Sequence, residues 1–403
     1  MPEATLPAGT RPAPPAAVVL AGIRVVTPSG VHPGPLRISR GIVDGGAPRP
    51  GDHVVRLEGH LVFPGLLNAH DHLPLNALPE VPDLGTFGNA ADWIDALRPV
   101  LDSIPFRAAR AIDPEVRARH GALKNLLAGV TTVAHHDPWL DPMGGADFPV
   151  RVLSPYGWCH SPRLAGRYGP GLEESHAMTP AGARWFIHLA EGTDGEARGE
   201  VTLLDRRGLL GPETVAVHGV GFNEKDVARF LAAGSSLVWC PSSNLKILGK
   251  TLDPGPFARA GRLAVGTDSR LSGSRDLLEE LRAARDASEL PAAALLGLVT
   301  TNAGKVLGLR GAGALGPGSP ADLVVLRDPG GDPCEAILGT RRADLRAVVT
   351  GGVPRVADTD LLTWCSAAGA VPRPARLDGA AKLVDERIFA GEAAALEPGL
   401  TLS

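Results

Sequence analysis

The sequence predicts an α/β protein built on a (β/α)₈ TIM-like barrel, with a small split β-sandwich formed by segments on either side of it. Three observations predict this architecture. Apolar runs alternate with helical patterns between about residues 63 and 308, close to the roughly 250 residues of such a barrel. Short β-rich runs with Gly, Pro and Asp turns precede this region and recur after it. The 403-residue chain also exceeds the usual limit of one core, about 250–300 residues.

Changes in composition along the chain predict its domain boundaries. The expected segments are a Pro/Ala-rich disordered lead at 1–16, a composite β-sandwich from 17–62 and 309–356, the barrel at 63–308, and a C-terminal helical tail at 357–403. Residues 376–389 carry the pattern of an amphipathic helix. We expect this helix to pack on the barrel or on a second subunit. In the second case the protein would form a homodimer. The first β-rich segment, without helical periodicity, predicts a small antiparallel sheet.

One strand-helix unit of the barrel is missing from the sequence pattern. Strands are predicted near residues 61–72, 129–135, 150–154, 184–188, 214–218, 236–240 and 262–268. About 30 Gly/Pro-rich residues separate the strand at 150 from the strand at 184. Either the fourth strand is very short there, or the barrel is incomplete at that edge.

Bulk composition excludes several classes of partner. Forty basic and 44 acidic residues, without a long like-charge run, give no reason to expect nucleic acid or an anionic membrane. The four cysteines are widely spaced, so neither a cysteine zinc site nor a disulfide framework is indicated, and a reducing cytoplasm is the expected location. The apolar stretch at 17–26 is interrupted by Arg24 and is too short for a membrane span, and it lacks a basic region in front, so no signal peptide is expected. A small-molecule substrate is expected.

Polar residues gather at the predicted C-terminal ends of the strands. His70 and His72 are two residues apart, so on a strand they project from one face. Functional residues of such barrels lie at these strand ends. The other strand ends supply His135, His136, Asp137, His188, His218 and Asp268. Each alone could be a packing residue or a helix cap. Because three histidines and an aspartate from four strands suit a tetrahedral or five-coordinate metal site with one water, their coincidence indicates a metal centre.

A series of motifs resembles the amidohydrolase superfamily, in the branch with S-adenosylhomocysteine, guanine and cytosine deaminases and the triazine chlorohydrolases. The matching motifs are Pro64-Gly-Leu-Leu-Asn-Ala-His70-Asp-His72, Gly129-Val-Thr-Thr-Val133, His188-Leu-Ala-Glu191, Val217-His218-Gly219, Pro241-Ser-Ser-Asn244, Gly266-Thr-Asp268-Ser269, Thr301-Asn302-Ala-Gly-Lys-Val-Leu-Gly308 and Gly318-Ser-Pro-Ala-Asp-Leu-Val-Val325. They follow the order of the superfamily from residue 18 to about 355, and the resemblance implies the same barrel and split β-sandwich.

The resemblance also implies roles for individual residues. The implied ligands of one divalent ion, zinc before iron, are His70, His72, His188 and Asp268. His218 resembles the residue that hydrogen-bonds the metal-bound water. Glu191 resembles the proton shuttle, although a solvated loop carboxylate is the alternative.

A second metal ion is not expected. Binuclear relatives bridge two metals with a carboxylated lysine from the fourth strand, and this chain has no lysine between Lys124 and Lys225. A bridging glutamate, as in another branch, would have to be Glu173 or Glu174.

The expected function is therefore that of a mononuclear metal-dependent aminohydrolase acting on a small N-heterocycle. Metal-bound hydroxide attacks an amidine-like carbon, Asp268 and His218 take its proton, and Glu191 protonates the ring nitrogen and then the departing amine. Hydrolysis of a cyclic amide, or displacement of a non-amine group, is the enzyme alternative. A metal-binding scaffold without turnover is the non-enzyme alternative.

Substrate contacts are expected from side chains near the strand ends. Candidates are His135, His136, Asp137, Trp93, Trp158, Ser269 and Arg270. For His135, His136 and Asp137, a network that orients the metal ligands is the alternative. Trp93 could pack on the first helix, and Ser269 and Arg270 could serve helix capping and surface charge.

Overall fold

The computed structural model describes residues 17–403, so the predicted lead at 1–16 lies outside the described residues. The chain begins with β1 (Val18–Thr27), β2 (Gly30–Pro33), β3 (Leu36–Ser39), β4 (Ile42–Gly45) and β5 (His53–Pro64). The expectation that this segment is purely antiparallel is wrong. β1 pairs antiparallel with β2 and β3 but parallel with β5, because the turn-rich connection through β3 and β4 returns the chain to the start of β1.

The central region alternates strands and helices as the sequence predicts. Its elements are β6 (Leu66–Asp71), α1 (Ala90–Leu101), α2 (Ile104–Arg110), α3 (Pro114–Leu127), β7 (Val130–His135), β8 (Arg151–Val152), β9 (Tyr156–Cys159), α4 (Leu172–Met178), β10 (Arg184–Leu189), α5 (Gly195–Arg206), β11 (Thr214–His218), α6 (Glu224–Ala232), β12 (Ser236–Trp239), α7 (Pro241–Leu248), α8 (Gly255–Arg259), β13 (Leu263–Val265), α9 (Leu277–Asp286), α10 (Ala292–Leu298) and α11 (Thr301–Leu307). Short 3₁₀ turns lie at Leu73–Ala77 and Asp141–Gly144.

The strands of this region form two parallel sheets. One runs β6-β7-β8 and the other β13-β12-β11-β10-β9. A parallel bridge between Asp71 and Asp268 joins the sheets at one junction, where the Asp268 amide donates to the His70 carbonyl at 3.1 Å. At the other junction β9 follows β8 after residues 153–155, which contain no helix. The fourth strand of the barrel is therefore only four residues long, and no helix precedes it. This agrees with the predicted alternative of a very short fourth strand.

Alternation along the strands separates two layers of the core. Trp185, Ile187 and Leu189 of β10 belong to the large cluster that includes helix residues such as Leu204 of α5. The intervening Phe186 belongs to a separate cluster made of alternate strand residues, among them Val215, Val217, Val238 and Ala264. This second cluster fills the barrel interior. His188 continues the face of Phe186, so its side chain is directed inward at the strand end.

The remaining elements complete the terminal sheet. They are β14 (Leu323–Arg327), α12 (Pro333–Gly339), a 3₁₀ turn at Arg342–Asp344, β15 (Leu345–Thr350), β16 (Val353–Asp358), a 3₁₀ turn at Thr359–Leu361, α13 (Leu362–Ala367), β17 (Pro372–Leu377), β18 (Ala380–Asp385), α14 (Glu386–Phe389), α15 (Glu392–Ala395) and β19 (Leu400–Leu402). β14 pairs with β5, as the split arrangement requires, in one sheet ordered β19-β17-β18-β16-β15-β14-β5-β1-β3-β4, with β2 on β1.

The prediction of a helical tail is wrong over most of its length. β17 and β18 form an antiparallel hairpin over residues 372–385, and of the helix predicted at 376–389 only α14 at its end is helical. Asp378 and Gly379 form the two-residue turn with φ of 47° and 86°. Asp-Gly favours this turn because both central residues need positive φ. The tail nevertheless packs on the barrel, since Arg119 Nη2 of α3 donates to the Ile388 carbonyl at 2.8 Å.

A buried ion pair ties α3 to the first barrel strand. Lys124 Nζ donates to Asp71 Oδ2 and to Asn76 Oδ1, both at 2.9 Å, and the Lys124 and Asp71 side chains are fully buried. Asn125 Nδ2 donates to the same Asp71 oxygen at 2.7 Å. Asp71 stands between His70 and His72, so this network fixes the strand end that presents both histidines.

Replacing Lys124 with methionine is expected to lower the free energy of unfolding by about 3–5 kcal/mol, because it leaves a buried carboxylate without its cation. Urea denaturation measures the change. Arg98→Met breaks the half-exposed Arg98–Asp95 pair and serves as the control, with an expected loss of at most about 1 kcal/mol. Equal effects of the two substitutions would contradict this account.

No helix within residues 17–403 has both the length and the apolar character that a membrane span requires.

Candidate active site

Four ligand-type atoms from three parts of the barrel meet at one point. His188 Nε2 lies 3.3 Å from His70 Nε2 and 3.4 Å from His72 Nε2. Asp268 Oδ1 lies 3.7 Å from His70 Nε2 and 3.6 Å from His72 Nε2. All four side chains are buried. The structure therefore brings together the four residues that the sequence predicts as metal ligands.

These separations fit one tetrahedral metal ion. Metal–ligand bonds of about 2.0–2.2 Å place tetrahedral ligands roughly 3.3–3.6 Å apart. Three imidazole nitrogens and one carboxylate are also a donor set that zinc accepts. Burial lowers the pKa of His70 and of His188, so both imidazoles are neutral, as metal binding requires. The donor set and its spacing thus fit a zinc or iron ion.

The orientation of His70 is fixed by a chain of two hydrogen bonds. His136 Nε2 lies 2.9 Å from the Cys159 carbonyl oxygen, which can only accept, so this nitrogen carries the proton. Burial, with His70 and His72 nearby, holds the pKa of His136 well below its usual range, so its Nδ1 is an acceptor. His70 Nδ1, 3.3 Å away, therefore donates to it. The lone pair of His70 is left on Nε2, the atom directed at the other ligands.

His72 is oriented in the same way by Asp137. Its Nδ1 lies 2.9 Å from Asp137 Oδ2, so Nδ1 donates and Nε2 is directed at the metal centre. Burial lowers the pKa of His72, but Asp137 and Asp268 more than offset this and raise it to about 9. The two carboxylates thus favour a positive charge at this point, which a metal ion also supplies.

Replacing Asp137 with asparagine is expected to weaken metal binding about 10–100-fold, because the partners of ligand histidines contribute on this scale. Competition with a chromophoric chelator measures the affinity. Asp141→Asn, at an exposed position in the same connection, is the control and should not change it. An unchanged metal affinity in the Asp137 variant would show that Asp137 does not orient His72 for metal binding.

His218 faces the site as a proton acceptor. Its Nδ1 lies 2.8 Å from Asn244 Oδ1, so Nδ1 donates and Nε2 keeps its lone pair. Burial lowers the pKa of His218 to about 4, which leaves the ring neutral. Nε2 lies 3.5 Å from Glu191 Oε1. His218 also adopts a positive φ of 78°, followed by Gly219, which redirects the chain at the end of β11.

Glu191 is a largely enclosed carboxyl, with its side chain 14% exposed, and no lysine or arginine within residues 17–403 forms an ion pair with it. Burial raises the pKa of Glu191 well above its usual range, and the charges of Asp268 and Glu200 raise it further, while His72 opposes them. The raised pKa favours the protonated form of Glu191, in which it can act as a proton donor. The solvated-carboxylate alternative does not describe this environment.

The two oxygens of Asp268 have different partners. Oδ2 accepts a hydrogen bond from the Ser272 hydroxyl at 2.7 Å. The hydroxyl fixes the carboxylate plane, and Oδ1 is the oxygen directed at His70 and His72. Asp268 also has a positive φ of 59° at the turn after β13.

A cavity of about 340 Å³ opens beside these residues. His72, Asp137, His188, Glu191, His218 and Asp268 line it, together with a wall that includes Leu75, Leu78, Trp93, Leu97, Ile247 and Leu271. A second space of about 30 Å³ lies against His188, Glu191 and Glu200, large enough for water. The buried His188 Nδ1 has no hydrogen-bond partner among the described residues and is a candidate to bond such a water.

The structure divides the predicted substrate contacts into two groups. Trp93, Ser269 and Asp137 line the cavity, with Asp137 bonded to His72. Trp158 does not line it, because its ring packs edge-on against His136 at 5.9 Å between centroids. His135 and His136 lie behind the ligands, and the Leu73 amide donates to His135 Nδ1 at 3.4 Å. For these histidines the contacts favour the alternative of an orienting network.

The prediction of Arg270 as a substrate contact is wrong. Its guanidinium donates to both oxygens of Glu397 at 3.0 and 2.7 Å. Glu397, in the C-terminal tail, also accepts from His120 Nε2 at 2.9 Å and pairs with Arg342. The buried carboxylate holds Arg270 away from the cavity. Sequence reasoning missed this because the partner lies 127 residues away, in the segment predicted as a C-terminal helical tail.

Other residues were missed or assigned too broadly. Asn244, Ser272, His160 and Tyr168 contribute to the site without a predicted role. Asn244 ends the motif Pro241-Ser-Ser-Asn244, and this motif is a sequence signal that could have identified it.

The alternative of a metal-bridging glutamate at Glu173 or Glu174 is wrong. Glu173 pairs with Arg207 on the surface, and Glu174 accepts a hydrogen bond from the Gly171 amide at the start of α4.

Comparison with known proteins places this site in a family. The "Amidohydrolase family" sequence model matches residues 175–354. A 5-methylthioadenosine/S-adenosylhomocysteine deaminase of Pyrococcus furiosus is 31% identical over 382 residues, with 78% of this chain and 88% of that protein covered. The chain belongs to the amidohydrolase family. The predicted family, barrel and terminal β-rich domain are thereby confirmed.

Further relatives of this amidohydrolase differ in their named activities. An 8-oxoguanine deaminase of Pseudomonas aeruginosa is 26% identical over 389 residues, with 74% of this chain and 83% of that protein covered. An atrazine chlorohydrolase of Arthrobacter aurescens TC1, solved as a complex with zinc, has the same fold. The TM-score is 0.67 at 19% identity, with 87% of this chain and all of that chain covered.

Proposed function

We propose that this amidohydrolase is a mononuclear zinc-dependent aminohydrolase that deaminates an amidine-like carbon of a small N-heterocycle. The observation that carries the proposal is the pairing of Glu191, whose pKa is raised, with a neutral His218 beside the four ligand-type atoms. Deamination needs both a proton acceptor for the attacking water and a proton donor for the departing amine. The deaminase relatives support the same class of reaction.

His70, His72, His188 and Asp268 would hold the ion. When bound, the ion supplies Lewis acidity, which lowers the pKa of a coordinated water from 15.7 to about 7 in favourable sites.

The protein's own residues then divide the proton transfers. His218 Nε2 accepts the proton of the attacking water, and the remaining lone pair of Asp268 Oδ2 is the second acceptor. Glu191 gives its proton to the ring nitrogen that gains charge as the carbon becomes tetrahedral. His218 returns its proton to the exocyclic nitrogen, which leaves as ammonia. The hydroxyl on the tetrahedral carbon gives its proton back to Glu191, and the ring keeps a carbonyl.

The proposal extends to the setting of the enzyme. We propose a cytoplasmic location, supported by the four cysteines, which are all buried free thiols. The substrate is a small molecule, and neither nucleic acid nor a membrane is a proposed partner. The expectation of a homodimer stays a prediction.

An ammonia-release assay of the zinc-loaded protein against aminopurines, aminopyrimidines, pterins and aminotriazines tests the proposed reaction. We expect release from at least one ring class, abolished when the metal is removed. Chloride or alkylamine release from substituted triazines, without ammonia release from any ring, would support the displacement alternative. Ring opening of a cyclic amide, without release of ammonia, chloride or alkylamine, would support the alternative of cyclic-amide hydrolysis. No turnover of any compound would favour the inactive scaffold.

A further inference from the structure

Two arginines line the cavity apart from the ligand residues. Arg110 is the last residue of α2 and is exposed, and Arg117 lies in the second turn of α3 and is half-buried. Both belong to the long connection between β6 and β7, which also supplies much of the apolar wall. The cavity therefore combines reacting groups, an apolar surface and a basic part that reaches solvent.

Neither arginine has an acidic partner within residues 17–403. Arg117 donates only to backbone carbonyls, from Nε to Ile112 at 3.1 Å and from Nη1 to Pro74 at 3.4 Å. Arg110 makes no ion pair there. Burial lowers the pKa of Arg117, and the charge of Arg110 lowers it further, against a smaller opposing effect of Asp113. The charges of the two arginines thus repel each other, and Asp113 offsets only part of this repulsion.

The carboxylates of the cavity are engaged elsewhere. Asp137 bonds His72, Asp268 faces His70 and His72, and Glu191 faces His218. An anion that enters the cavity therefore meets two arginines that none of these carboxylates pairs with. Guanidinium groups bind carboxylate and phosphate oxygens in charge-assisted, bidentate geometry.

Much of the remaining cavity wall is apolar. Leu75, Leu78, Trp93, Leu97, Leu101 and Leu271 line it. Such a wall suits a planar ring and an apolar spacer.

We propose that Arg117, with Arg110, binds an oxyanion carried by the substrate at the end remote from the reacting carbon. The inference rests on the proposed deamination. It narrows the substrate class to N-heterocycles joined through an apolar spacer to a carboxylate or phosphate-type group. Arg117 and Arg110 are specificity residues in this account and take no part in the chemical step.

The test compares matched substrates built on the ring that releases ammonia fastest. The ring nitrogen remote from the amidine carries a 2-carboxyethyl group, a 2-phosphonoethyl group, or the neutral methyl ester of the first. For the wild-type enzyme we expect KM for an anionic compound about 10–100 times below that of the ester, the factor of one or two charge-assisted hydrogen bonds. The carboxylate and phosphonate arms show which oxyanion is preferred.

Arg117→Gln should raise KM for the anionic compound about 10–100-fold, with kcat and both constants for the ester nearly unchanged. Arg110→Gln should act in the same direction, and it guards against a folding defect in the Arg117 variant. Arg107→Gln, an exposed position of α2 that does not line the cavity, is the matched control and should change nothing. Arg117→Lys, which keeps the charge, should restore part of the affinity.

Two outcomes would overturn the inference: equal KM for the anionic and neutral compounds in the wild type, or equal loss for both in the arginine variants. Ammonia release from the ester alone would still uphold the proposed deamination. If no ring is deaminated, the binding of 9-(2-carboxyethyl)adenine and of its methyl ester to the zinc-loaded protein is compared by calorimetry. Tighter binding of 9-(2-carboxyethyl)adenine than of its ester, lost in Arg117→Gln, then supports the oxyanion site, and equal binding overturns it.

Discussion

Replacing Asp268 with asparagine is expected to give a folded protein that retains little metal and turns over at least about 10³–10⁴-fold more slowly. Asp268 is the anionic member of the four-atom cluster, and its Oδ1 lies 3.6–3.7 Å from two of the histidine nitrogens. Loss of the Lewis acid removes several kcal/mol of transition-state stabilisation, and each 1.36 kcal/mol is a factor of ten in rate. Elemental analysis after gel filtration and the ammonia assay measure the two effects.

Asp286→Asn is the control for this substitution. Asp286 is an exposed carboxylate at the end of α9, in the region that follows the same strand. Metal content and turnover should remain at wild-type levels in this variant. Full metal occupancy in the Asp268 variant would exclude Asp268 as a ligand.

Replacing Glu191 with glutamine is expected to reduce turnover by about 10²–10⁴-fold while metal content stays the same, the usual size of a general acid-base contribution. Burial raises the pKa of Glu191, and Asp268 and Glu200 add to the effect. The wild-type rate should therefore fall as pH rises through this pKa, because the proton donor is lost. Glutamine has no such proton, so the residual activity should lack this alkaline limb.

A pH–rate profile of both proteins separates this role from a structural one. Glu196→Gln, an exposed carboxylate of the following helix, is the matched control and should keep the wild-type profile. If the alkaline limb persists unchanged in the Glu191 variant, another group is the donor.

The convergence of the candidate metal ligands could be predicted because parallel strands place their C-terminal ends together. The His70–His72 pair, His188 and Asp268 are far apart in the chain, but each lies at the end of an apolar strand, and the barrel fixes their common edge. The orienting residues were harder to predict. His136 and Asp137 were recognised as strand-end residues, but only the contacts with Cys159, His70 and His72 show that they fix tautomers.

Errors arose where long-range contacts override local pattern. Residues 376–389 satisfy a helical pattern, yet Asp378-Gly379 closes a hairpin that joins a sheet begun 360 residues earlier. Arg270 looked available for substrate because its partner Glu397 lies in the same misassigned tail. Arg110 and Arg117 were not predicted at all, since an arginine on a helix has no local signal that distinguishes a solvated side chain from one that lines a cavity.

The most direct test of the metal centre is a zinc titration of protein first stripped with a chelator, followed by metal analysis and activity at each step. The four-atom cluster predicts that activity rises linearly and reaches its maximum at one zinc per chain. A maximum that requires two zinc ions per chain would contradict the mononuclear site.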